Sequence, residues 1–486
     1  MRNPMFVFDD DMAELVMAYC RKRLAMDPVS LDFGGHGGSL DAELAGLLGP
    51  EGNDPAAVLR LFTDRLARAV ISCDSPRFLS FIPAAPTKAA LLFDMVVSAS
   101  SLNGTSWLEA AGAVVAENQV LRLLAGVAGL PAGAGGCFVA GGSAGNLSAL
   151  VVARDTAAHR RGRAPRRPRI AISDEAHSSV GKALHVIGVE PLAVPADDHR
   201  LTGPGLAAAL DAAAAADPAV ADDLVGVVAT AGTTNAGIVD DLAGVAEVAG
   251  RWDLWFHVDA AYGGAALFAP SARALFTGID RADSFVVDPH KWLFAPFDCA
   301  ALLYRDPRLA KAVHTQDAAY LDVIHRPAGA SGGPASAGGG PAGGGGPAEE
   351  ADAVATVDEP WNPSDYAFHL TRRARGLPLW FSLAVHGTDA YRDAVETVLD
   401  TARRSADLIR ATPQVELVRD PVLSVVLFRR PGWGPADYDR WSASLLMDQI
   451  GFVTPTSWEG EVIARLAFLH PDTTVQMVEE ILATMA

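Results

Sequence analysis

A lysine placed directly after an apolar run is the most reactive arrangement in this sequence. Ser284-Phe-Val-Val has the make-up of a buried strand, and Asp288-Pro-His-Lys-Trp292 follows at its end. At a strand mouth Lys291 is partly removed from water, which lowers an amine's pKa and makes it a nucleophile toward an aldehyde. A lone lysine beside a turn is ordinarily a solvated surface residue, so its neighbours decide. Trp255-Phe-His-Val-Asp-Ala-Ala-Tyr-Gly-Gly264 is the second segment. On a strand His257, Asp259 and Ala261 share one face, because side chains alternate. A carboxylate closing an apolar strand either caps the strand end or needs a cation, since burying it unpaired is costly.

Three further segments place polar atoms at strand ends. Cys137–Ser148 runs through Gly141, Gly142 and Ser143 into a helical stretch, Ala149–Ala158. Backbone N–H groups bared at a helix start suit a phosphate, although a Gly-rich turn alone is also a plain helix cap. Ala229-Thr-Ala-Gly-Thr-Thr-Asn235 offers hydroxyls, Thr234 among them, for a phosphate or a ring oxygen. Asp174-Glu-Ala-His-Ser-Ser179 puts the His177 imidazole where it can stack on a flat ring; a lone histidine is more often structural. Pyridoxal phosphate (PLP) answers to this set, because its pyridine ring, kept protonated by a carboxylate, is an electron sink for a carbanion. Small residues at Ala260, Ala261, Gly263 and Gly264 leave room for the ring.

In this order the five segments resemble the group II PLP-dependent decarboxylases, the family of aromatic-L-amino-acid, histidine and glutamate decarboxylases. The most diagnostic parts are HVDAAYGG at 257–264, DSFVVDPHKW at 283–292 and FDC at 297–299, and the 32-residue spacing from Asp259 to Lys291 is that of the aromatic branch. The resemblance implies that Lys291 carries PLP as a Schiff base, that Asp259 pairs with the pyridine nitrogen, and that Ala261 and His177 lie on opposite ring faces. Gly142, Ser143, Thr234 and His290 fall where the family surrounds the phosphate. Asp288 stands where many relatives have asparagine, and its charge repels a phosphate unless it is paired or points away. Ala144-Gly145 replaces the glutamate that commonly follows Gly-Gly-Ser in the family.

Tyr320 takes the place of the family's mobile-loop tyrosine, which protonates the carbanion after CO2 leaves; otherwise it is an ordinary loop residue. Phe81, Ile82 and Ala84 align with the family's side-chain pocket, with Asn103 and Thr105 on the opposing wall. An aromatic L-amino acid is the default substrate. The alternatives are a small or acidic amino acid such as aspartate, glutamate or diaminobutyrate, or oxidative deamination to an aldehyde. Arg372, Arg373 and Arg375 bind a substrate carboxylate or tie the subunit together, and the structural role is preferred.

Holding these groups takes an α/β scaffold. Short apolar runs at Gly136–Ala140, Arg169–Ile172, Leu224–Ala229, Leu254–Val258 and Ser284–Val287 alternate with helical patterns, as in a parallel sheet covered on both faces. Ligands of such sheets bind beyond the carboxyl ends of the strands, where the polar residues fall. By resemblance the fold is that of PLP-dependent transferases of type I: a mixed, mostly parallel seven-stranded sheet with helices on both faces, plus a small α+β C-terminal domain. The expected division is an N-terminal helical segment over 1–88, a PLP-binding domain over 89–378 and the small domain over 379–486. Within this, 326–352 reads as a disordered Gly/Pro/Ala-rich loop, and helical patterning resumes after it through Trp380. Strand candidates follow at Val415–Val418 and Leu423–Phe428, with a closing helix at Thr474–Met485.

The 486 residues carry a formal charge of −19, half of them are hydrophobic and 20% are charged. That balance argues against a nucleic-acid partner, which is bound through excess Lys and Arg. The one basic cluster, Arg160 to Arg169, reads as a solvated loop. Four cysteines without CxxC spacing fit a reducing compartment. Neither a signal peptide nor an uninterrupted apolar run of about 20 residues is visible, so a cytoplasmic protein is expected, by resemblance a homodimer with its active site at the interface.

Overall fold

Each apolar run becomes a strand that is buried along its length, as a sheet with both faces covered requires. A computed structural model of the chain describes residues 3–32, 40–325 and 360–486. Residues 33–39 and 326–359, the latter containing the Gly/Pro/Ala-rich tract, lie outside the described residues. The chain divides into two units: Ala89–Thr233 with Ile238–Arg392, and Met1–Lys88 with Thr234–Gly237 and Asp393–Ala486.

The larger unit holds strands β1 (Gly135–Val139), β2 (Arg169–Ser173), β3 (Glu190–Val194), β4 (Leu224–Thr230), β5 (Trp255–Asp259), β6 (Ser284–Val287) and β7 (Ala300–Tyr304). Their order across the sheet is β1-β7-β6-β5-β4-β2-β3. All neighbours pair in parallel except β7, which is antiparallel to both β1 and β6. The sheet is therefore mixed and mostly parallel, as the resemblance implies. The reversal lets β7 follow β6 as its antiparallel neighbour, a pairing that needs no crossover helix between them. Register fixes what meets at the site: Thr230 lies beside Asp259, His257 beside Ser284, and Asp259 beside Val286.

The smaller unit contains an antiparallel sheet of order β10-β11-β9-β8, formed by β8 (Glu416–Leu417), β9 (Val425–Arg429), β10 (Pro455–Trp458) and β11 (Glu461–Ala467). The closing helix is Val475–Ala483.

Two expectations need correction. Among the described residues that follow the Gly-rich tract, helical structure does not resume before 377, because residues 360–376 contain only a single 3-10 turn, Pro363–Asp365. The helix there is Leu377–Ala411, which loses helical dihedrals at Gly387 (φ +76°). The strand at Val415–Val418 shrinks to the two residues of β8.

The basic cluster is ion-paired within its own unit, Arg163 with Asp222 at 2.6 Å and Arg167 with Glu190 at 2.8 Å. No helix among the described residues is long and apolar enough to cross a membrane.

Candidate active site

Lys291 sits on a short helical turn, Pro289–Trp292, immediately after β6. Trp292 anchors the turn: its indole is fully buried and stacks on Tyr262 with ring centroids 5.3 Å apart. The Lys291 side chain keeps 25% of its surface, and its Nζ lies 3.0 Å from Asp288 Oδ2. Asp288 is thus paired with Lys291. Its carboxylate is 2% exposed and its Oδ1 has no hydrogen-bond partner. An acceptor buried without a donor is costly, so this side of the site calls for a hydrogen-bond donor.

His290 points its ring at the chain segment that returns to β7. Its Nδ1 accepts from the Cys299 backbone N–H at 3.0 Å, while the His290 backbone N–H donates to Cys299 O at 3.2 Å. Burial lowers the His290 pKa, with nearby Asp288 opposing the shift. With Nδ1 accepting, the ring proton sits on Nε2, 3.6 Å from Asp288 Oδ2.

The helix Gly142–Arg160 starts beside this carboxylate. A Cβ added at Gly142 would lie 3.0 Å from Ala261 Cβ and 3.1 Å from both Asp288 oxygens, so only glycine fits without displacement. At Gly145 an added Cβ would come within 2.6 Å of Val286 Cγ2. The helix therefore packs closely on β6 at this point. Ser143 is exposed at the helix N-terminus, where its backbone N–H and dipole favour an anion.

Asp259 ends β5, is 5% exposed and accepts two hydrogen bonds. Its Oδ1 takes the Ala261 backbone N–H at 3.1 Å, and its Oδ2 takes Asn146 Nδ2 at 2.9 Å. Both donors are neutral, whereas a buried carboxylate is best matched by a cation. A protonated pyridine nitrogen meets that need, Gly142 leaves the space, and Lys291 supplies the amine. These residues fit PLP.

His177 caps the helix Ser178–Val186, its Nδ1 2.8 Å from Ser179 Oγ, and the imidazole is exposed. Tyr320 lies in a turn and is exposed. Thr105 Oγ1 donates to Asn103 Oδ1 at 2.5 Å, and Asn103 Nδ2 donates to Glu109 Oε1 at 2.6 Å, so both residues serve the start of the helix Trp107–Ala128. Arg372 is buried against Glu117 at 2.7 Å, Arg373 pairs with Asp94 at 2.8 Å, and Arg375 with Asp298. All three arginines are engaged within their own unit, which is the structural role preferred for them.

In the smaller unit, Arg465 donates to the backbone carbonyls of Thr234, Asn235 and Phe81. Ile82 and Ala84 are buried, whereas Phe81 is 60% exposed. Its backbone is held at φ +51° and its ring lies against Phe78 and Phe452.

Sequence reasoning passed over Asn146, which touches the Asp259 carboxylate directly. The available signal was a polar amide with poor helix propensity inside an otherwise small and apolar helix.

Residues 49–331 match the family model described as the pyridoxal-dependent decarboxylase conserved domain. An aromatic-L-amino-acid decarboxylase of Bacillus atrophaeus is 28% identical over 441 residues, spanning 89% of this chain and 85% of that protein. An L-2,4-diaminobutyrate decarboxylase of Rhizobium meliloti is 32% identical over 403 residues, spanning 81% and 74%. The crystal structure of Oryza sativa TDC with PLP and tryptamine superposes with a TM-score of 0.84 at 24% identity, covering 100% of this chain and 99% of that one.

Proposed function

Because the chain belongs to the pyridoxal-dependent decarboxylase family and is a PLP-dependent amino acid decarboxylase, we propose that it removes CO2 from an aromatic L-amino acid and releases the amine. When bound, PLP supplies an aldehyde for an amine and a ring that takes up the electrons left as the carboxylate departs. Lys291 would hold PLP through its side-chain amine. Asp259 would favour a proton on the ring nitrogen, and Ala261 and His177 would contact the ring. Gly142, Ser143 and His290 would hold the phosphate, with Asp288 beside Gly142 and His290, and the resemblance gives Thr234 the same role. Tyr320 Oη returns a proton to Cα once CO2 has left.

Phe81 carries the aromatic reading. A non-glycine residue at positive φ is strained, and such strain concentrates at ligand sites. Here it presents a largely exposed ring from an aromatic cluster with Phe78 and Phe452, a surface suited to stacking a second aromatic side chain. A panel of L-amino acids given to the PLP-loaded protein, with CO2 and amine both measured, is the test. Turnover is expected with phenylalanine-, tyrosine- or tryptophan-like substrates. A preference for 2,4-diaminobutyrate would overturn this assignment, and that second reading is favoured by the 32% identity to a diaminobutyrate decarboxylase. Aldehyde and ammonia in place of amine would overturn simple decarboxylation.

The working unit in this proposal is a homodimer. The helix Asp10–Leu24 has no buried residue, and it and the segment before it expose Phe6, Phe8, Met12, Leu15, Val16 and Met17. Exposed apolar side chains of this kind are what a second copy would cover. Sedimentation is expected to give twice the chain mass, and a single-chain species would count against it.

A further inference from the structure

We infer that Asn146 positions both ring contacts, joining the Asp259 carboxylate and the His177 imidazole through one buried amide. The inference rests on the roles proposed above for those two residues. Asn146 lies about one turn inside the helix Gly142–Arg160 and is 1% exposed. Its Nδ2 donates to Asp259 Oδ2 at 2.9 Å and to Ser179 Oγ at 3.1 Å, and its Oδ1 lies 2.9 Å from His257 Nε2.

The direction of each bond follows from chemistry. A carboxylate only accepts, so the amide nitrogen faces Asp259 and the amide oxygen faces His257. His257 Nε2 therefore carries a proton. Burial pushes the His257 pKa down to about 4, against the pull of Asp259, so the ring is neutral at pH 7. Its Nδ1 is then an acceptor and takes the hydroxyl proton of Ser284, 2.8 Å away. Ser284 Oγ in turn accepts from the Trp255 indole N–H, a donor-only group, at 2.9 Å. Every proton from Trp255 through Ser284, His257 and Asn146 points toward Asp259. Such a chain favours the ionised carboxylate and fixes its orientation.

A branch runs the other way. Having accepted from Asn146, Ser179 Oγ directs its own proton to His177 Nδ1 at 2.8 Å, which also receives the Ser179 backbone N–H at 3.2 Å. That leaves the His177 ring proton on Nε2. Strand register builds the device: Trp255, His257 and Asp259 alternate onto one face of β5, and Ser284 lies beside His257 on β6. A polar amide inside a helix is otherwise unfavourable, and three hydrogen bonds account for it.

The test uses the PLP-loaded enzyme and Asn146→Leu, which keeps the volume and removes all three bonds. Expected are a kcat lower by about 10- to 100-fold, the scale of one hydrogen bond to a buried charge, and a KM within about threefold of wild type. The pH dependence of the bound-PLP absorbance should shift as well, which a purely structural residue would not cause. Should that variant fail to fold, Ser284→Ala, which removes the remote hydroxyl linking Trp255 to His257, is expected to shift the same absorbance profile by less. An unchanged kcat and absorbance profile in a folded variant overturns the inference. Borohydride reduction separates the two layers. If wild-type PLP is not fixed on Lys291, the site proposal falls and this inference with it. If it is fixed there but the variants match wild type, only the inference falls.

Discussion

Lys291→Ala is expected to abolish CO2 release, with a loss of at least about a thousandfold, the scale of deleting a residue that acts as the covalent catalyst. The substitution also removes the partner of Asp288. That carboxylate is 2% exposed, with Oδ1 already lacking a donor and Oδ2 held by Lys291 Nζ. Taking away the cation strands a buried charge, which costs about 3–5 kcal/mol when one member of a buried pair is lost. The Lys291 side chain keeps a quarter of its surface, so screening puts the expected cost below that range. A drop in activity could therefore be mistaken for a drop in stability. Two measurements keep them apart. Wild type reduced with borohydride should carry the cofactor on the peptide that contains Lys291, and the variant should carry none. The double variant Lys291→Ala/Asp288→Asn removes the stranded charge and should regain most of the stability, yet stay inactive. Turnover by a folded Lys291→Ala protein would sink the proposed role.

The strands that build this site were legible because burial on both faces leaves an unbroken apolar run. Ser284–Val287 is read without error, and four other runs fall within one residue of β1, β2, β4 and β5. β3 carries Glu190 and Pro191 at the sheet edge and is only partly buried, so its run is not apolar enough to stand out. β7 is as apolar as its neighbours, but nothing in Ala300–Tyr304 states that it runs antiparallel to both of them. Orientation is a property of the connection and does not show in the strand. The closely packed Gly142 is visible in sequence only as part of a glycine turn. That Asp288 pairs with Lys291 follows from the turn that brings residues i and i+3 together, as at Pro289–Trp292. Asn146 was hidden for a different reason. Its three partners come from β5 and from the chain around Ser179, and their convergence exists only once the helix has packed on the sheet.

The second large effect is expected at the other end of that convergence. Asp259→Asn should lower kcat by about 10²- to 10³-fold, or about 2.7–4 kcal/mol, the range seen when a pre-organised group that stabilises transition-state charge is removed. KM for the amino acid should move far less, because the carboxylate acts on the ring as electrons arrive there and not on the substrate's ground state. Neutralising the charge is only part of the loss. Both Asp259 oxygens accept, Oδ1 from the Ala261 N–H and Oδ2 from Asn146 Nδ2. An asparagine offers one oxygen and one NH2 group, so whichever way it turns, two donors face each other at one of those contacts. If the amide turns its NH2 group toward Asn146, Asn146 must reorient and the order of protons back to Ser284 is broken. If it turns toward Ala261, the backbone N–H is left without an acceptor in a buried position. Asp259→Asn and Asn146→Leu therefore disturb one network and should not be additive in ln kcat. Their double variant is expected to be little worse than Asp259→Asn alone. Full additivity would mean that Asn146 reaches the chemistry by a route other than this carboxylate.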